Sequence, residues 1–480
     1  MVIDGPARQD DSLVMTLRAT CLIVLMCVGT ARAAEWSWQW PAKPGDATPT
    51  VTVSPFKYGK DWAYSVEIDD GPITTLTVVQ PLLAKFNYTD APPGVAGGKP
   101  RPLVGGAALI VGSTGTGNNT LLQWDDVRKL QSLGWGAINH SYYHAGHTWG
   151  NPPENLTDAQ FRTDLFWSQM ILAAEVGNGR APSHLVYPNG YTDYATHMKE
   201  FGLHSGSLVG RPVESDVYSA KFDPLQTGRA YLDNGAWEAG GKGDPMTGFP
   251  KDGPPKGVLH IDFTHGIEAD TNSANYKRWT ERLTTIATRY GTHGADNLWC
   301  APSNEVFDYV AAAKVARFAA ASGKITVLLP DDVAGAALTL KIDGIPASAK
   351  LIAPDGGAVY RQGNTVWVTS PIIGHPGSPP PYPRVKRVYD GPAKDVTFDH
   401  ETAVAGVRLS QDSPSETGVT LEAITPGGNV SIAADHPSLE KVWHRWLLFS
   451  VVPNKPSVKA TGVHVGENKV LSRMEVWAEE

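Results

Sequence analysis

The sequence predicts an α/β domain over residues 34–322, a small β-rich extension over 323–372 and an all-β module over 386–480. Two observations carry this expectation. From about Trp36 to Ser322, short strand-like runs alternate with longer runs whose apolar residues recur at helical spacing. After Gly323 strand-like runs continue, with no convincing helix between them. At 480 residues the chain exceeds one typical core, so two or three domains are expected.

The elements follow in order. Trp62 to Ile68 reads as a strand and runs straight into Asp69-Asp70-Gly71. Trp124, Val127, Leu130 and Leu133 repeat at helical spacing, and Gly134 stops that helix. The apolar Gly134 to Ile138 then reads as a short strand delivering His140. Thr157 with Gln160 three residues on is a capping box, opening a helix that carries Phe161, Leu165 and Met170 and ends near Gly177. Trp279, Leu283 and Ile286 mark a third helix closed by Gly291. Val306, Val310 and Phe318 mark a fourth, closed by Gly323. In the extension, Lys324 to Leu329 and Asn364 to Val368 read as strands. Residues 373–385, with Pro376, Pro379, Pro380, Pro381 and Pro383, form a semi-rigid linker where few contacts should cross. Beyond it, Gly406 to Leu409 and Ser472 to Trp477 suggest the all-β module.

Residues 1–33 have the pattern of an export signal. Arg18 precedes the apolar Cys21 to Val28, and Ala31-Arg32-Ala33 supplies a small-x-small cleavage site. The apolar stretch falls short of the roughly 20 residues that span a bilayer, so the mature chain is expected to have no integral membrane segment and to be secreted or periplasmic. Its removal leaves Cys300 as the one cysteine, which excludes an internal disulfide. With 41% hydrophobic and 19% charged residues the chain is a folding one. Its net charge of -8 and its lack of a Lys/Arg run exclude a nucleic-acid partner. The 15 Trp and 16 Tyr supply rings that stack on sugar faces or fill cores. Tyr142, Tyr143, Trp149 and Trp299 are candidates for either role.

The chemistry concentrates in two segments about seventy residues apart. Asp69 and Asp70 stand in EIDDGP; His140 and His144 stand in NHSYYH. A carboxylate and two imidazoles are a common ligand set for a divalent ion such as zinc, and a second carboxylate beside them can act as a base. The pattern points to a metal-dependent hydrolase. His147 is a rival ligand, and the absence of a Glu after His140 excludes a zincin in its usual form.

EIDDGP, NHSYYH, LVYPNGY and FTHGI resemble, in this order, the polysaccharide deacetylases of carbohydrate esterase family 4, over roughly residues 60–320. The resemblance implies an irregular (β/α) barrel with its site at the C-terminal strand ends. It implies Asp69 as general base, Asp70, His140 and His144 as ligands of a divalent metal, with zinc expected, and His265 as general acid. His260 lies close enough in sequence to compete for that last role. Tyr187, Pro188 and Asn189 fall where the family places a tight turn, whose Asn189 N–H would stabilise the oxyanion. Three departures stand out. The family's Arg that bonds the catalytic Asp is replaced by Val186, the Tyr after the proline by Asn189, and the later Asp and Trp motif is not recognisable. The terminal MEVWAEE looks like the closing strand of discoidin-type galactose-binding domains, so the last module is expected to hold a polysaccharide or to act as a structural cap. The expected function is an exported deacetylase acting on N-acetyl or O-acetyl groups of a polysaccharide. Its rivals are a hydrolase of a small non-sugar amide or imide, and a catalytically silent carbohydrate-binding protein.

Overall fold

Parallel strands laid down in chain order form most of a ring. In the computed structural model, which describes residues 33–43, 45–144, 157–177, 179–233, 243–377, 384–411, 419–432, 446–450, 456–466 and 471–480, strands β1 (Trp62–Ile68), β2 (Gly106–Leu109), β3 (Gly136–Asn139), β4 (His184–Val186) and β5 (Ser205–Leu208) pair successively in parallel. The residues before Ala33, where an export signal is expected, His147, Trp149 and linker residues 378–383 lie outside the described residues.

Closure comes from a five-residue stretch. Its first half, β6 (Thr227–Gly228), pairs in parallel with β5, and its second half, β7 (Ala230–Tyr231), pairs in parallel with β8 (Val258–Thr264). Strand β8 returns to β1, again in parallel. A short β9 (Leu298–Cys300) pairs with the first half of β1, while β2 pairs with its last two residues. The molecule is thus mixed α/β, with a nearly closed, parallel-rich, barrel-like sheet and separate antiparallel sheets.

Every residue of β1 is buried, because successive side chains point to opposite faces and both faces are covered. Outward, Tyr64 donates to Asp262, which also takes the Arg282 guanidinium from the helix Ala274–Tyr290. Inward, Glu67 meets Ser207, Ser303 and Arg229. The other main helices are Trp124–Ser132, Asp158–Glu175 and Ser303–Val315. The second has the expected capping box: Thr157 Oγ1 accepts from Gln160 N, and Gln160 Oε1 accepts from Thr157 N. That helix is buried nearly all round, as a helix must be when it is covered on two sides.

Two findings depart from the sequence reading. The fourth helix stops at Val315, and Phe318 belongs to a strand, Arg317–Ala321, that forms a hairpin with Lys324–Leu329 about Ser322 and Gly323. Alternating burial along 317–321 and the positive φ of Gly323 (81°) favour the hairpin over a continued helix. The first strands of the described chain also pair with the extension rather than the barrel. Ala34–Gln39 lies antiparallel to Lys324–Leu329, and Thr50–Val53 lies antiparallel to Thr339–Asp343.

The C-terminal segment forms a seven-stranded antiparallel sheet built on Val396–Gln411 and Leu471–Glu479. It has an apolar cluster of its own, including Val407, Leu409, Phe449 and Met474. Three of its residues, Val385, Ala405 and Trp477, join the barrel's core cluster instead. Gly406 lies against Trp167 of the helix Asp158–Glu175 so closely that a Cβ there would meet the ring at 2.8 Å. The sheet is the second cover of that helix.

Candidate metal centre

Asp70, His140 and His144 converge. Their ligand atoms lie within 4.8 Å of one another, with His140 Nε2 at 3.4 Å and His144 Nε2 at 3.6 Å from Asp70 Oδ1. Asp70 stands two residues past the C-terminal end of β1 and His140 directly after that of β3, the edge where barrels carry their chemistry. His140 Nδ1 lies 2.8 Å from the Val186 carbonyl oxygen, which can only accept. Nδ1 therefore carries the hydrogen and Nε2 keeps its lone pair for a ligand. Burial opposes ionisation of Asp70, yet the neighbouring imidazoles of His140, His144 and His265 hold its carboxyl well below the usual carboxylate range. Asp70 Oδ1 is shielded from solvent and has no hydrogen-bond partner. A buried carboxylate oxygen without a donor is costly, and a cation satisfies it. The residues fit a divalent metal.

The backbone around the ligands is strained in a consistent way. Asp70 (φ 67°), Ser141 (64°), His144 (55°) and Asn189 (50°) all occupy the left-handed region, at about 1–3 kcal/mol each. Buried polar side chains hold the His140–His144 loop in this form. Asn139 Oδ1 accepts from Ser141 N (2.7 Å), and Ser141 Oγ accepts from His144 N (2.8 Å). Asp164, reaching from the helix Asp158–Glu175, accepts from Tyr142 N, Tyr143 N and the Tyr194 hydroxyl.

Asp69 is held by a residue that the sequence reading missed. Arg229 donates Nη1 to Asp69 Oδ1 (2.8 Å) and Nη2 to Oδ2 (2.7 Å), the two-pronged geometry that fixes a carboxylate plane. It comes from the closing stretch between β6 and β7, and its guanidinium stacks 3.7 Å over the Phe263 ring. Nη1 also reaches Glu67 Oε2 (3.1 Å), and Ser303, Ser207 and His184 surround the rest of that carboxylate. Burial pushes the Glu67 carboxyl up, but the His184 hydrogen bond and the Arg229 charge win and hold it down to about 2. An Arg on the carboxylate before the ligand is thus present, supplied by a different strand from the one that carries Val186.

His265 follows the last residue of β8, its imidazole partly open to solvent. Nδ1 lies 2.6 Å from Asp233 Oδ2, and its backbone N–H donates to Asp233 Oδ1 (3.0 Å). Burial works against the imidazolium, but the Asp233 hydrogen bond and the charges of Asp69, Asp233 and Asp70 lift its pKa to about 9. With Nδ1–H on Asp233, Nε2–H is left to act as an acid. Asp233 was also missed. Its signal was a short strand, Ala230-Tyr231, ending in an acidic residue, the same pattern that made Asp69 and Asp70 legible.

The remaining candidates sort by burial. His260 is fully buried on the outer face of β8, bonded to Asp262 and Arg282, away from the strand ends. Tyr187 is buried, its hydroxyl donating to the Leu225 carbonyl (2.8 Å). Pro188 is buried, while Asn189 sits half-buried in the turn, its side-chain Nδ2 without a partner. Tyr142, Tyr143 and Trp299 are core residues. The Cys300 thiol is buried, pushed up to about 12, and donates to the Val104 carbonyl. Among the described residues no helix is long and apolar enough to cross a membrane.

No protein-family model matches the chain, and no curated protein matches it. Among solved structures it is similar to the deacetylase PplD of Streptococcus pyogenes in complex with acetate, at 17% identity and a TM-score of 0.27. That likeness covers 34% of this chain and 62% of the other, so the chain spans under two thirds of the PplD structure. A likeness this slight carries no argument, and the chemistry rests on the side chains that meet at the strand ends.

Proposed function

We propose that this chain is an exported, metal-dependent deacetylase that hydrolyses N-acetyl or O-acetyl groups of a polysaccharide. The observation that carries the reading is the division of labour between two adjacent carboxylates. Asp70 faces two imidazoles with an unpartnered oxygen, while Asp69 is turned onto Arg229. A divalent metal, with zinc the first candidate, would be held by Asp70, His140 and His144 and would supply Lewis acidity toward the acetyl carbonyl and its attacking water. Asp69 takes the proton of that water as it attacks the carbonyl carbon. The Asn189 N–H stabilises the oxyanion. His265 gives its Nε2 proton to the leaving nitrogen or oxygen as the bond to the acetyl carbon breaks, releasing acetate and the free amine or alcohol. Cleavage of residues 1–33 and delivery outside the cytoplasm belong to the same proposal.

Two measurements test it. Chelation should abolish acetate release from acetylated glycans, and zinc or cobalt should restore it; full turnover by exhaustively metal-free protein would end the reading. Asp69→Asn should keep metal content near wild type while lowering turnover by roughly two to four orders of magnitude. Asp70→Asn should lose both. The reverse pattern would exchange the roles of the two carboxylates.

A further inference from the structure

We infer that Arg408, in the C-terminal sheet, is a positioning residue for the loop that carries His140 and His144, acting through Tyr142. The inference rests on the metal reading above and extends it to a part of the chain remote in sequence. Tyr142 lies between the two histidines and is fully buried, as Arg408 is to within 3%. Arg408 Nη1 donates to the Tyr142 hydroxyl at 3.4 Å.

The arginine is itself fixed. Its Nε donates to Glu475, a fully buried carboxylate that also takes Arg387 and Arg473 at 3.2 Å each. Three guanidinium groups around one carboxylate leave Arg408 little freedom to swing away. Two residues earlier on the same strand, Gly406 is pressed against Trp167, which sets the height of the strand over the helix Asp158–Glu175. From that helix Asp164 grips the loop's backbone at Tyr142 and Tyr143. The loop is therefore held twice: its backbone by the barrel's helix, and its central side chain by the appended sheet.

Such a hold matters because the loop is strained. Ser141 and His144 both sit at positive φ, a form that persists only where the surroundings over-determine it. Other contacts of the sheet, such as Trp477 in the barrel core and Arg387 with Glu175 (3.1 Å), fasten the module to the helix. Arg408 reaches the ligand loop itself. Removing the Tyr142 contact should loosen the angle between the two imidazoles while leaving the sheet docked.

The test uses the full chain. Tyr142→Phe deletes the hydroxyl and keeps the ring in the core; Arg408→Met deletes the guanidinium. Zinc affinity is measured by competition with a chelating dye, ligand geometry by the electronic spectrum of the cobalt-substituted protein, and folding by thermal unfolding of the metal-free form. Tyr142→Phe is expected to weaken zinc about tenfold, the low end for outer contacts of metal ligands, and to shift the cobalt bands with the metal-free melting temperature held. The double variant should bind zinc no more weakly than the weaker single variant, because both act through one contact. Should Arg408→Met fail to fold, Tyr142→Phe decides alone. Unchanged zinc affinity and cobalt bands in Tyr142→Phe would overturn the inference and leave the metal reading standing. A wild-type chain that takes up neither ion would overturn both.

Discussion

His265 and Asp233 show how far single side chains set the chemistry. In the proposed reaction His265 must stay protonated while Asp69 is not, and Asp233 favours this by accepting from Nδ1. Asp233→Asn removes a charge and an anionic acceptor, so the imidazole should lose its proton at lower pH than its present value of about 9. The alkaline limb of the kcat profile should move down by about one pH unit or more, with metal content unchanged. A limb that stays in place would assign it to another group. At this scale the sequence was legible where a motif packs its chemistry into adjacent positions, as in Asp69-Asp70 and His140 to His144. It was opaque for Arg229 and Asp233. A lone Arg after Gly228 carries no local sign of a carboxylate that lies across the barrel.

Among the elements, the closing stretch Thr227 to Tyr231 has the most to lose. Arg229 stands between two buried carboxylates, and Arg229→Met would leave Glu67 and Asp69 side by side without a cation. Removing one partner of a buried pair costs about 3–5 kcal/mol. The pH dependence follows from Glu67, whose folded pKa of about 2 lies below the roughly 4.3 of a free Glu. A depressed carboxyl contributes stability above its unfolded pKa and loses it as pH falls through the folded one. In the wild type this contribution is therefore flat from pH 7 to 5 and lost between about 4 and 2. In Arg229→Met the carboxylates repel, so acidifying from pH 7 to 5 should raise stability instead. Urea unfolding at the two pH values checks the sign; equal losses at both would mean that the network is neutral to charge. Helices were the more legible elements. Thr157 with Gln160, and Gly134 and Gly291 at helix ends, are local signals that the fold obeys. The fourth helix was overdrawn because Phe318 fits helical spacing as well as strand alternation, and only pairing with Lys324–Leu329 decides between them.

For the whole molecule, the proline-rich stretch near residue 380 suggested a place to cut. A cut there separates sequence more cleanly than it separates core. Trp477, Ala405 and Val385 are buried with barrel residues, and Gly406 covers Trp167. A chain ending at Gly377 would expose those partners, and burial of one large aromatic side chain is worth about 2–3 kcal/mol. Such a chain should melt lower than the full one, or aggregate, and should bind zinc less tightly. A truncated protein with the full melting temperature and zinc affinity would show the sheet to be a passive appendage. No linear pattern revealed this docking, because the contacts join residues more than two hundred positions apart.

The ring's manner of closure sets a timetable for how the protein comes alive. The imidazoles and Asp70 ride on β1 and β3, joined through β2 within one early, locally wound stretch of chain. The contact between Arg229 and Asp69 spans 160 positions and exists only once β6 and β7 have zipped the gap between β5 and β8. Pairings this distant are made late, since the entropy of the intervening loop must be lost first. During refolding, weak zinc capture should therefore run ahead of acetate release, with a lag that Arg229 variants do not shorten, and full affinity should wait until Arg408 docks on Tyr142. Stopped-flow dye competition against a continuous acetate assay would separate the two clocks, and simultaneous return of both signals would refute the order. If the chain is exported as proposed, it would cross the membrane before Arg229 has fixed Asp69, and so before it could cut anything it meets.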